Sequence, residues 1–160
     1  LPILMRNGRK IFREVALNDA ALTKGAVARV VDLKISCDNM PMSDFSGDGV
    51  VVSTPTGSTG YSMSAGGPIV EPTAENLIIT PICAHAMDAK SFVLSSERVV
   101  SIRLGRLTRK TAYLSADGGR AFHLQDGDVV EIRKSKKVTQ LVRLSGRTFY
   151  EILAKKFGRM

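Results

Sequence analysis

No lysine occurs between Lys34 and Lys90. That gap excludes a GxxxxGK[ST] phosphate loop from the middle of the chain, because such a loop needs its lysine on the terminal phosphates. Cysteine is nearly missing, with only Cys37 and Cys83. Two distant thiols make neither a disulfide framework nor a CxxC pair, so both are expected to be reduced. The two histidines lie far apart, which leaves a zinc site short of ligands, and no structural metal is expected. Long apolar runs are absent too. None approaches the roughly 20 residues of a membrane span, and the apolar start Leu1-Pro-Ile-Leu-Met5 is too short for the core of a signal peptide. A soluble, cytoplasmic protein with no membrane partner is expected. The chain begins at Leu1 rather than methionine, as an excised domain lacking its native N-terminal part would.

What is present is enough for one domain over residues 1–160, with 44% hydrophobic residues to form a core. Charge is lopsided. Residues 1–100 carry nine Lys/Arg against ten Asp/Glu, whereas residues 101–160 carry fourteen against five and hold the whole +8 excess. Two clusters, Arg103-Leu-Gly-Arg-Leu-Thr-Arg-Lys110 and Arg133-Lys-Ser-Lys-Lys137, dominate it. They read as a solvated edge strand and hairpin, where lysine discourages edge pairing. Binding of nucleic acid through them is not expected, because none of the tyrosines or phenylalanines is interleaved with the basic residues as a stacking platform.

Short β-rich runs at residues 27–35, 49–53, 76–80, 92–94, 99–104, 111–115, 129–133 and 139–144 read as strands. Turn signals lie at Asp38-Asn39, Asp117-Gly118-Gly119 and Asp126-Gly127-Asp128. The expected fold is mainly β, a layered antiparallel sandwich-like domain. Ser64-Ala-Gly-Gly-Pro68 permits only a short helix after Thr59. Phe149, Ile152, Leu153 and Phe157 fall at helical spacing before Gly158, which predicts a C-terminal helix closing the core.

The chemistry lies between Ser53 and Gly67. Eight of those fifteen residues bear a hydroxyl, four are glycine and none is charged. Glycine lets a backbone approach a ligand closely, and hydroxyls exchange hydrogen bonds with sugar and phosphate oxygens. Between a buried strand and a short helix, such a segment can aim its N–H groups at an anion. A dinucleotide fingerprint GxGxxG is absent, and Ser58 lacks the GxSxG context of a hydrolase nucleophile. Met40, Met42 and Met63 read from composition as packing or loop residues, and His85 and His123 as structural.

The longer pattern Gly47-Asp-Gly-Val-Val-Val-Ser-Thr-Pro-Thr-Gly-Ser-Thr-Gly-Tyr61, then Ser64-Ala-Gly-Gly-Pro68 and Thr80-Pro-Ile-Cys-Ala-His85, resembles the core of NAD kinases. Ala16-Leu-Asn-Asp19 resembles that family's Ala-Leu-Asn-Glu element. Asp117-Gly118 with Leu124, Gly127-Asp128 and Ile132 is similar to its Asp-Gly-Gln strand-turn pattern. The resemblance spans essentially the whole chain and implies the family's C-terminal, NAD-binding domain. It implies phosphoryl transfer from ATP, or inorganic polyphosphate, to the 2′-hydroxyl of the adenosine ribose of NAD, with magnesium or another divalent cation. Asn18 and Asp19 would bond the adenosine portion, Arg29 would be a polar nucleotide contact, and Thr56, Thr59, Gly60, Tyr61, Ser62, Met63 and Ser64 would line the adenine and ribose pocket. Asp48 and the backbone at Cys83 would reach a neighbouring subunit's site, implying a homodimer or homotetramer. The family's base is the aspartate of a Gly-Gly-Asp-Gly motif in a separate N-terminal α/β domain. This sequence has no such motif, so no catalytic residue is assigned and activity of the chain alone is not expected.

Three positions depart from the family pattern: Asp19 for glutamate, Gly60 for alanine and Gly119 for glutamine. The competing reading is a non-catalytic NAD(H)-binding or oligomerisation module.

Overall fold

The computed structural model of the chain describes residues 1–25, 29–86, 89–108, 110–142, 144 and 146–158. Its strands are β1 (Pro2–Arg6), β2 (Arg9–Arg13), β3 (Asp19–Lys24), β4 (Val31–Cys37), β5 (Met40–Gly47), β6 (Gly49–Ser53), β7 (Asn76–Ile82), β8 (Phe92–Ser95), β9 (Val100–Leu104), β10 (Ala112–Ala116), β11 (Phe122–His123) and β12 (Val129–Ile132). A 3-10 turn (Thr56–Thr59) leads into the short helix α1 (Tyr61–Ser64), and α2 (Phe149–Phe157) ends the described chain.

Period-two sequence becomes period-two burial. β4 buries Val31, Leu33 and Ile35, and β9 buries Val100, Ile102 and Leu104, while the intervening residues face outward. The strands form two six-stranded sheets, β2-β1-β12-β9-β4-β5 and β11-β10-β3-β6-β7-β8. Every pairing is antiparallel. Leu33, Ile102 and Val130 of the first sheet share one apolar cluster with Leu22, Val50, Ile79 and Leu114 of the second, so the sheets pack face to face. The layered antiparallel sandwich is therefore the fold, with its short helix after the glycine-rich segment and its C-terminal helix in the expected places.

β5 belongs to the first sheet and β6 to the second, and a single residue, Asp48, separates them. A side chain on Gly49, whose φ is 156°, would collide with the Leu22 carbonyl. At Gly47 a Cβ would come within 2.9 Å of the Ile82 carbonyl. The corner thus requires both glycines of Gly47-Asp48-Gly49.

Several expectations need correction. The strand expected at 27–35 begins at Val31, with Arg29 and Val30 outside it and residues 27 and 28 outside the described set. Residues 139–142 and 144 are exposed and form no strand, residue 143 lying outside the described set. The basic clusters do not mark edges: Arg103 lies on β9 and Arg133 follows β12, both interior strands. Their charges are drawn into surface ion pairs, Lys110 with Asp32, Arg133 with Glu131 and Lys134 with Glu75.

The helix α2 does not close the core, since none of its residues is buried. It forms for local reasons. Thr148 and Glu151 make a reciprocal capping box, and Lys155 and Lys156 favour the C-terminal end of the helix dipole. Its tie to the sandwich is Lys156 Nζ donating to the Thr59 carbonyl at 3.2 Å. The strands β1, β2, β3, β5 and β11 lay outside the sequence expectation. β2 and β5 are edge strands, β2 mostly exposed and β5 burying only Phe45 and Gly47, β3 is rich in alanine and β11 has two residues, so none of these four presents a β-branched alternation.

A chain ending at Gly146 is expected to keep its thermal midpoint within about 3 °C, whereas Ile102→Ala, which empties part of the shared core, should cost about 2–5 kcal/mol in urea unfolding. Loss of cooperative unfolding on shortening would show instead that α2 supports the sandwich.

Candidate functional site

The strands β3, β6 and β7 lie side by side in the second sheet, and their outward face carries small residues. Ala21, Val51 and Ile82 form a separate apolar cluster there, covered by Ala65 just after α1. The glycine- and hydroxyl-rich segment leaves β6 at Ser53 and folds back over this face, which is why all of β6 is buried.

Many of its hydroxyls hold the segment down. Thr54 Oγ1 donates to the Leu17 carbonyl at 2.7 Å and accepts from Gly57 N at 3.2 Å, and Thr54 N donates to the Asn18 carbonyl at 2.8 Å. Ser58 Oγ donates to the Val70 carbonyl and accepts from Val70 N, at 3.1 and 3.0 Å. Ser62 Oγ pairs with Thr80 Oγ1 at 2.9 Å, and both residues are buried. Gly57 abuts Asn18 so closely that any Cβ would collide with the Asn18 carbonyl. What remains open to a ligand is Thr56 and Thr59, both half-buried, with Gly60, Tyr61 and Ser64 exposed; Met63 is half-buried. Ser62 was expected to line the pocket with the rest, but its hydroxyl lies beneath the segment.

Asn18 and Asp19 enter β3 directly against this segment. Their conformation is set from the β10–β11 turn. Asp117 Oδ1 accepts from Asn18 N at 2.7 Å and Asp19 N at 3.0 Å, and Oδ2 accepts from Leu17 N at 2.7 Å. Asp19 is only 8% exposed. Burial, and next the charge of Asp117, pushes its carboxyl above the ordinary value near 3.8.

Tyr61 is the meeting point. Its phenol is pushed up first by burial and then by Asp19, Asp48 and Cys83, three groups that reach it from β3, the sheet corner and the end of β7. Asp48 is held by an ion pair from Lys24 Nζ at 2.7 Å, and its N–H donates to the Ile82 carbonyl at 2.9 Å. Cys83 is exposed and has a left-handed φ of 45°. Of the residues expected at the site, Asn18, Asp19, Asp48, Thr56, Thr59, Gly60, Tyr61, Ser64 and Cys83 thus belong to one region. Arg29 is exposed ahead of β4, and no described contact brings it in.

Asp117, legible in the sequence as a turn signal and as part of the family's Asp-Gly-Gln pattern but not assigned to the site, holds the backbone N–H groups of Asn18 and Asp19, some hundred residues earlier. His85 donates its backbone N–H to Ser46, and the His123 ring meets Tyr113 edge-on at 5.4 Å. Among the described residues no three His, Cys, Asp or Glu side chains gather as a cation's ligands, so the divalent ion expected with phosphoryl transfer finds no ready-made site here.

Two outcomes follow from this geometry. The raised carboxyl of Asp19 gives stability that is complete below about 3.8 and lost as pH rises through its folded-state value. Asp19→Asn should therefore raise the thermal midpoint at pH 7, an advantage that shrinks on acidification below that range. An unchanged difference across the pH series would remove Asp19 as its source. Gly57→Ala should cost about 1–3 kcal/mol in urea unfolding, because the methyl group must push aside the Asn18 backbone.

Known proteins with this geometry are now relevant. The ATP-NAD kinase C-terminal domain family matches residues 17–144. An NAD kinase of Acetivibrio thermocellus is 37% identical over 151 residues, covering 94% of this chain and 52% of the relative. One of Symbiobacterium thermophilum is 44% identical over 155 residues, covering 97% and 54%. The chain thus spans about half the length of these curated relatives. Among solved structures, yeast NADH kinase complexed with NADH aligns with a TM-score of 0.75 at 32% identity, over 81% of this chain and 38% of that one. An NAD kinase from Archaeoglobus fulgidus in complex with ATP aligns at 0.68 and 30% identity, over 84% and 51%. With its fold, its glycine-rich segment and its relatives in agreement, this chain belongs to the ATP-NAD kinase C-terminal domain family.

Proposed function

We propose that the protein carrying this chain is an NAD kinase and that residues 1–160 form its NAD-binding domain. The 2′-oxygen of the adenosine ribose attacks the γ-phosphorus of ATP, the bond to ADP breaks, and the hydroxyl proton passes to a base, giving NADP. The observation that carries the reading is the glycine- and hydroxyl-rich segment pinned against residues 17–18, with Thr56, Thr59, Gly60, Tyr61 and Ser64 left open along its edge. A weak ribose nucleophile gains most from positioning, which is what such a surface supplies.

In this reading Asn18 and Asp19 accept and donate hydrogen bonds at the adenosine portion. Tyr61 packs on the adenine, and Thr56, Thr59, Gly60, Met63 and Ser64 form the wall around it. Asp48 and the Cys83 backbone extend toward the site of a neighbouring subunit in a homodimer or homotetramer. ATP as donor is supported by the Archaeoglobus fulgidus relative, which binds ATP, and NADH as an alternative acceptor by the yeast relative. The base and any ligands for a divalent cation belong to residues outside this chain. Asp48 is engaged by Lys24 and is not assigned as the base. The expected setting is the cytoplasm.

Calorimetry of the chain with NAD tests the pocket. Tyr61→Ala and Asn18→Ala should each weaken binding about tenfold or more, the loss expected from removing a stacking face or a well-made polar contact. Equal heats for the parent and both variants would refute the pocket. If the full-length protein binds NAD yet makes no NADP from ATP, the non-catalytic NAD(H)-binding module is the correct reading.

A further inference from the structure

Three consecutive backbone N–H groups, from Leu17, Asn18 and Asp19, converge on one carboxylate at 2.7, 2.7 and 3.0 Å. Main-chain N–H groups curved in this way make a concave seat for an anion, and here the anion is the side chain of Asp117. The contact is returned: Asp117 N donates to the Asp19 carbonyl at 3.0 Å. The turn is shaped to make it. Asp117 and Gly118 both have left-handed φ, 49° and 66°. That conformation is unfavourable for a residue with a Cβ and persists where surrounding contacts determine it.

We infer that Asp117 is the positioning residue of the dinucleotide site, fixing Asn18 and Asp19 through their backbone and flanking Asp19 with a fixed negative charge. This rests on the NAD-binding reading above. Four hydrogen bonds from the β10–β11 turn hold residues 17–19, and Thr54 N holds the Asn18 carbonyl from the opposite side. The peptide of Asn18 is therefore pinned on both faces, and only its side chain keeps rotational freedom. Gly57, packed on that carbonyl, transmits the same constraint to the 3-10 turn that leads to Tyr61.

The charged and titratable groups around Asp19 are few. Asp117 faces it from the turn and Tyr61 from α1. Glu75, Arg133, Lys134, Lys137 and Leu1, which carries the amino terminus, border, with Asp19, a cavity of about 300 Å³ at the end of the sandwich. Burial, and next the Asp117 carboxylate, raises the carboxyl of Asp19.

The test uses the full-length protein, with NAD, ATP and three variants. Asp117→Asn keeps Oδ1, so the bonds from Asn18 and Asp19 survive, but it loses the charge and the bond from Leu17. It should raise KM for NAD about tenfold, leave KM for ATP within twofold, and move the acidic limb of kcat/KM for NAD to lower pH. The last follows because Asp19 ionises more readily once its negative neighbour is gone. Gly118→Ala strains the turn at φ 66° but keeps the carboxylate, and should lower the thermal midpoint without moving that limb. Asp117→Ala should also strip hydrogen-exchange protection from the Leu17, Asn18 and Asp19 amides. The inference is overturned if Asp117→Asn changes stability alone, or if Gly118→Ala moves the pH limb equally. Should the parent protein fail to bind NAD, the functional reading fails separately. Amide protection, and an NMR titration of the Asp19 carboxyl in parent and Asp117→Asn, then still decide the role of Asp117.

Discussion

The chain passes from one sheet to the other through a single residue, and that close approach of backbones is the constraint on which the rest depends. At Gly47-Asp48-Gly49 the main chain runs against the carbonyls of Ile82 and Leu22, with no room for a Cβ on either glycine. The end of β5 is thereby held against β3 and β7 of the second sheet. Asp48 N reaches Ile82 O, and Lys24 N reaches Asp48 O at 2.8 Å. The same corner fixes two site residues, since Asp48 is its apex and Cys83 follows the carbonyl it packs on. Fold and site share one piece of backbone geometry here.

The polar groups of the glycine-rich segment divide into two sets. Thr54, Ser58 and Ser62 spend their hydroxyls on the protein itself, as buried polar groups must when water is excluded. Thr56, Thr59, Tyr61 and Ser64 keep theirs toward the surface. Ser53 is the exception, with a buried Oγ that has no partner among the described residues. A segment that looks uniformly adhesive in sequence is thus half anchor and half binding edge. The anchors make the edge rigid, and rigidity is what a positioning surface contributes to transfer chemistry.

A second lock lies at the opposite sheet. Arg6 holds Asp128 through two bonds, Nε to Oδ1 at 2.9 Å and Nη2 to Oδ2 at 2.7 Å, and Asp128 also accepts from Gln125 N at 2.8 Å. The side chain of Asp128 is 1% exposed, and the bidentate Arg6 with the Gln125 N–H supplies the donors that a buried carboxyl needs. Like Asp117, whose partners lie 98–100 residues away, it is an aspartate in a glycine turn with a distant partner, Arg6 being 122 residues away. In both cases a turn that sequence reads as a local stop is a long-range tether.

Sequence alone determined the layered β-fold, most of the interior strands though not β1 or β3, and the family of the glycine-rich segment. Those rest on local features: period-two apolar residues, turn chemistry and a contiguous motif. It also placed α2, because capping by Thr148 and Glu151 is local. Tertiary structure decided what α2 does, since an apolar stripe at helical spacing does not say whether a surface awaits it. It decided that Arg103 sits on an interior strand and Arg133 just after one, because neighbours in a sheet are chosen by packing rather than by charge. It separated Ser62 from Ser64, two serines about half a helical turn apart in α1, one buried against Thr80 and the other exposed. And it joined Asp117 to Asn18 and Asp19, a contact between segments so distant in the chain that only the pairing of β10 with β3 could bring them together.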